Sequence, residues 1–149
     1  MKVCIYGAGA IGGWMGAHLA RQGCTLSAVA RGATLQALEQ NGLVLKQGDQ
    51  DIRVDVNARQ NPAELGVQDL VIVAVKAPAM ADVARHMAPL LGPETVVLTA
   101  MNGVPWWFLQ GFGGALGVFA EELAVHLQCP AAQGAGLVHR IRCWGMRRL

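Results

Sequence analysis

The opening thirteen residues, MKVCIYGAGAIGG, carry a short apolar segment straight into Gly7-Ala8-Gly9-Ala10-Ile11-Gly12, and few backbones satisfy that order. Lys2 to Tyr6 reads as a buried strand. Ile11, Met15 and Leu19 then recur at helical spacing, which predicts a helix from about Ile11 to Gln22. In a strand, turn and helix of this kind each glycine has its own task. Gly7 permits the tight turn, Gly9 leaves no Cβ where the chain approaches an anion, and Gly12 lets the helix pack close on its strand. The helix start directs unpaired N–H groups at the same place. Gly7, Ala8, Gly9, Ala10, Ile11 and Gly12 are therefore candidate ligands of a dinucleotide pyrophosphate. A chain with 19 glycines also produces such patterns by accident, as a turn without a ligand. The flanking strand and helix favour the binding loop.

The alternation continues down the chain. A strand from Thr25 to Ala30 and a helix from about Ala33 to Gln40 complete a βαβα unit. Gly42 to Leu45 and Ile52 to Val56 flank the polar stretch Lys46 to Asp51 and read as a hairpin inserted between the halves of the sheet. Asp69 to Val75 is almost wholly aliphatic, as a central parallel strand covered on both faces requires. Pro78 to Leu91 is expected as a helix with proline in its first turn, and Thr95 to Ala100 as a further buried strand. The expectation is an α/β fold, a doubly wound parallel sheet of the Rossmann type. Residues 1–108 form the nucleotide-binding domain and 109–149 an irregular continuation. Within that continuation a hairpin of Leu123 to Cys129 with Leu137 to Arg142 competes with a helix from Val118 to Gln128.

Several function classes are excluded at this stage. The longest aliphatic run, Leu70 to Val75, is far shorter than the roughly 20 residues a membrane span needs. No basic segment with a long apolar stretch opens the chain, so the expected location is cytoplasmic. A net charge of +2, with acids and bases interleaved, points away from nucleic acid. Cys4, Cys24, Cys129 and Cys143 lack metal or redox spacing, and Cys4 and Cys24 read as thiols of a reducing compartment. Ser27 is the only serine and lies within a strand rather than on a nucleophile elbow. His18, His86, His126 and His139 show no metal-ligand spacing, and His18 is expected on a helix surface. No metal is expected.

Three polar residues fall where the chemistry of such a sheet belongs, beyond the carboxyl ends of strands. An acid some twenty residues past the glycines holds an unmodified ribose, but Ser27 to Gly32 contains none, and Arg31 stands there instead. A guanidinium suits a dianionic 2′-phosphate through paired charge-assisted hydrogen bonds, which give a preference of roughly tenfold to hundredfold. The alternative is a solvated arginine at a turn. Lys76 closes the segment Val71 to Val75, where a cation can face a cofactor or an anionic substrate; the alternative is a surface lysine. Asn102 holds the matching place after the next strand, where its amide can reach a ribose hydroxyl or a substrate carbonyl. Asn102-Gly103 is equally a common turn pair.

Together, Gly7 to Gly13, Arg31, Val73-Ala74-Val75-Lys76-Ala77 and Met101-Asn102-Gly103-Val104 resemble the ketopantoate reductase (2-dehydropantoate 2-reductase) family over about Met1 to Phe108. The resemblance implies an NADP(H)-binding Rossmann domain, followed in the family by a helical domain that completes the substrate site and the dimer. It implies pyrophosphate on Gly7 to Gly12, 2′-phosphate on Arg31, cofactor and active-site contacts from Lys76, and Asn102 touching both cofactor and a small 2-oxo acid. The implied reaction is reduction of ketopantoate to pantoate for coenzyme A synthesis. The family's general acid, a lysine of the helical domain, has no counterpart, since no lysine follows Lys76. The expectation is a truncated chain that binds cofactor with little or no turnover and with a weakened homodimer, its end from Arg140 to Leu149 consistent with a shifted frame. A non-catalytic NADPH-binding module and a degraded copy remain the alternatives.

Overall fold

The computed structural model describes residues 1–48 and 50–101. Strands β1 (Lys2–Tyr6), β2 (Thr25–Val29), β3 (Leu43–Gln47), β4 (Gln50–Val54), β5 (Asn57–Arg59), β6 (Leu70–Val73) and β7 (Val96–Thr99) alternate with helices α1 (Ala10–Arg21), α2 (Gly32–Asn41) and α3 (Met80–His86). One sheet has the order β5-β2-β1-β6-β7, and every pairing in it is parallel. From β1 the chain first winds outward through β2 and β5, then returns to β1's other side for β6 and β7. Between β1 and β6 the winding reverses, which is the crevice where ligands of such sheets bind.

Two apolar layers follow from the alternation of side chains along each strand. Val3 and Ile5 of β1, Leu26 and Ala28 of β2, and Ile72 of β6 face Ala17 of α1 and Leu38 of α2. Cys4 and Tyr6 of β1, Val29 of β2, and Val71 and Val73 of β6 face Val83 of α3 and Leu90 on the other side. Burial on both faces explains why Val71-Ile72-Val73 shows no polar alternation in sequence.

Elsewhere the elements depart from what the sequence predicts. The expected helix Pro78 to Leu91 is three pieces: a 3-10 turn over Ala77–Ala79, α3, and a second 3-10 turn over Ala88–Leu90. Pro89 is the cause, because it has no N–H to continue the helix and its ring would strike the carbonyl one turn back, so α3 ends at His86 and the chain restarts as a 3-10 turn with proline near its start. The central strand stops at Val73 rather than Val75. The hairpin pairs further than expected, through Lys46↔Asp51 to Gln47↔Gln50, and forms a separate two-stranded sheet packed on α1 rather than a part of the main one. Strand β5 was not foreseen. Only Ala58 of its three residues is buried, so an edge strand this short leaves no apolar pattern to read. The expected turn at Asn102, the hairpin or helix beyond Val118 and the division at residue 108 lie outside the described residues.

Candidate functional site

The loop after β1 is built around steric constraints that a side chain would violate. Gly7 has φ +99°, in the region L side chains rarely adopt, and a Cβ there would stand 2.7 Å from Val75 Cγ1 and 2.8 Å from the Ala74 carbonyl oxygen. Its N–H donates to the Val29 carbonyl at 3.1 Å, tying the loop to the end of β2. Gly12 is buried, and a Cβ on it would press on the Gly7 carbonyl oxygen and lie 2.7 Å from Ile5 Cγ2. Gly9 is the opposite case, since a Cβ there would meet nothing within 4 Å. The space above it is open.

Gly9 is also the N-cap of α1, with no side-chain cap and no acid in the first turn. The first N–H groups of the helix are thus left to an incoming anion. Ala10 and Ile11 are exposed beside them.

A cleft of about 200 Å³ opens over the ends of β1, β2 and β6, lined by Tyr6, Gly7, Val29, Arg31, Asp82 and Val83 among others. Arg31 is the N-cap of α2 in extended conformation, so its guanidinium leaves the end of β2 toward that cleft. There its Nη2 donates to Asp82 Oδ2 of α3 in an ion pair. The other carboxylate oxygen of Asp82 lies 3.2 Å from His86 Nδ1 one turn on. The hydrogen bond from Arg31, reinforced by its charge, holds the Asp82 carboxyl below the usual carboxylate range, and the Arg31 guanidinium is raised in turn. The Tyr6 hydroxyl faces both charges. It is buried, makes no well-formed hydrogen bond, and is raised above the usual phenol range by burial first and the Asp82 charge second, partly offset by the charge and hydrogen-bonding reach of Arg31.

A larger hollow of about 550 Å³ lies between α2 and the β3–β4 hairpin. It touches the glycine loop only through Ala8, and its polar lining is Thr34, Asn41 and Arg53. The smaller cleft is the one at the reversal of winding, with the charges and the orphan hydroxyl, and is the candidate site.

Lys76 is exposed three residues beyond β6 and caps the 3-10 turn over Ala77–Ala79 rather than ending the strand. It lines neither hollow. Asn102 lies outside the described residues. Asp82 and Tyr6 were missed from sequence, because Asp82 sits 51 residues from Arg31 inside what reads as a helix and Tyr6 looks like core. His18 is not a free surface residue: its ring lies 4.6 Å from that of Trp14 and its Nε2 is buried without a partner. Ser27 is buried within β2 as expected. Among the described residues no group of His, Cys, Asp or Glu is placed to hold a metal, and no helix is long and apolar enough to cross a membrane.

The ketopantoate reductase PanE/ApbA family model matches residues 3–105. The chain belongs to that family. A 2-dehydropantoate 2-reductase of Mesorhizobium japonicum is 49% identical over 78% of this chain and 36% of its own length. The chain thus spans about a third of the curated relative. A PanE/ApbA family ketopantoate reductase from Ralstonia eutropha is 39% identical, with a TM-score of 0.64 over 69% of this chain and 35% of that one. The ternary structure of D-mandelate dehydrogenase with NADH and anilino(oxo)acetate shares the architecture at 25% identity, with a TM-score of 0.64 over 70% of this chain and 34% of that one.

Proposed function

We propose that this chain carries the cofactor-binding part of an NADPH-dependent reductase that converts 2-dehydropantoate to pantoate. The observation that carries the reading is that the anion-ready loop and Arg31 converge on one cleft, with Gly7 in its lining. The residues fit the cofactor: open space above Gly9 takes the pyrophosphate, the uncapped start of α1 supplies its donors, and Arg31 takes the 2′-phosphate. When bound, the dihydronicotinamide supplies a hydride to the ketone carbon of a small 2-oxo acid. The roles that the family resemblance implies for Lys76 and Asn102 are part of this reading: Lys76 a cation for the anionic substrate, Asn102 a donor and acceptor to substrate and ribose.

Hydride arrival at a ketone leaves an alkoxide that needs a proton, and a positioned general acid is worth about 10²–10⁴ in rate. No lysine follows Lys76 in these 149 residues. On this reading the 149 residues alone are expected to bind cofactor with little or no turnover.

Fluorescence titration with NADPH and NADH tests the reading, in wild type and in Arg31→Ala. Wild type is expected to prefer NADPH by roughly tenfold or more, and the substitution to erase the preference. Equal affinity for the two dinucleotides in wild type overturns the assignment.

A further inference from the structure

The segment closing β2 lacks the acid that holds an unphosphorylated ribose, yet the cleft does not. Asp82 arrives there from α3, on the far side of β6, and meets the guanidinium that stands where the acid is missing. A ribose 2′-phosphate is favoured by a cation and a ribose 2′-hydroxyl by a carboxylate that accepts its proton. Both groups line the same 200 Å³. We propose that Asp82 is a specificity-determining residue: its carboxylate competes with a 2′-phosphate for Arg31 and accepts from a 2′-hydroxyl, so the pair, not Arg31 alone, sets the choice between NADP(H) and NAD(H).

Three features support the assignment, which rests on the dinucleotide reading above. The Asp82 carboxylate is 35% exposed, while His86 Nδ1 is engaged by the Asp82 backbone carbonyl, so water solvates the carboxylate when Arg31 swings to a phosphate. Arg31 retains 60% of its side-chain exposure and is free to make that swing. The Tyr6 hydroxyl, on a residue 5% exposed, stands beside both charges, within the influence of the Arg31 guanidinium but in no well-formed hydrogen bond. A buried donor left open in a cleft marks where a polar ligand atom belongs.

The test is the same fluorescence titration of the 149-residue chain with NADPH and NADH, applied to Asp82→Asn. Removal of the charge is expected to tighten NADPH and loosen NADH, raising the NADPH-to-NADH affinity ratio about two- to fivefold, the effect of an exposed charge pair. Arg31→Ala, with Asp82 kept, is expected to erase the NADPH preference. Asp82→Ser gives the same readout should the asparagine variant fail to fold. A ratio that stays fixed or falls in these Asp82 variants overturns the inference while leaving a wild-type NADPH preference, and so the proposed function, intact. A wild type that binds neither dinucleotide overturns both.

Discussion

Alanine at Gly12 and alanine at Gly9 are the same chemical change three residues apart in one loop, and they should act through different properties of the protein. At Gly12 the new methyl is driven into the Gly7 carbonyl oxygen, lies 2.7 Å from Ile5 Cγ2 and 3.1 Å from Ala74 Cβ. None of these can rotate away: the first is backbone held by the turn, and Ile5 is 1% exposed in the core. Overpacking of this kind costs about 1–3 kcal/mol, and more where backbone must shift. Replacing glycine within a helix returns at most about 1 kcal/mol of propensity. The steric effect wins, with a net loss of about 2 kcal/mol, which lowers the Tm of a chain of 149 residues by about 4–8 °C. At Gly9 the methyl meets nothing within 4 Å, and φ −78° suits any residue. Alanine is merely a poorer N-cap, so stability should change by less than about 1 kcal/mol. The methyl instead occupies the open approach to the helix start, and NADPH affinity should fall tenfold or more. Differential scanning fluorimetry with and without NADPH, alongside fluorescence titration, separates the two. A Gly9→Ala protein that binds NADPH like wild type refutes the pyrophosphate loop, and a Gly12→Ala protein that melts like wild type refutes the close-packing argument.

Burial pushes the Cys4 thiol up to about 12 from 9.0, so native Cys4 should resist alkylation at pH 8.5 while half-buried Cys24 reacts first, as read by peptide mapping. The sign for stability follows: the neutral thiol is favoured in the folded state, so its contribution is whole below pH 9 and is lost as pH rises toward 12, visible as a falling urea midpoint. Gly42→Ala should lose about 1–3 kcal/mol in urea unfolding, because φ is +67° and a Cβ would stand 2.7 Å from the Val54 carbonyl oxygen.

Elements with strong local signals were legible in the sequence. The glycine loop, β1, β2 and the aliphatic heart of β6 declare themselves because burial on both faces imposes a continuous apolar run and because Gly7 and Gly12 admit no other residue. Strand β5 was not legible, since its place is fixed by pairing with β2 and not by its own residues Asn57, Ala58 and Arg59. The length of α3 was misjudged because helical spacing outweighed Pro89. The place of Arg31 at the end of β2, bordering the cleft, follows from its position in the sequence. That of its partner Asp82 does not, because sequence periodicity carries no record of which helix crosses a given strand end, and the charge balance of the cleft depends on that crossing.

On the proposed function, the start of α1 and the guanidinium beyond β2 take one ligand together. Titration of the ¹⁵N-labelled chain with NADPH, followed by two-dimensional NMR, reads both ends at once. The amides of Gly9 to Gly12 and the Arg31 Nε–H are expected to shift on a single binding curve. Shifts gathered instead around Thr34, Asn41 and Arg53, with the loop amides unmoved, would contradict the proposed function.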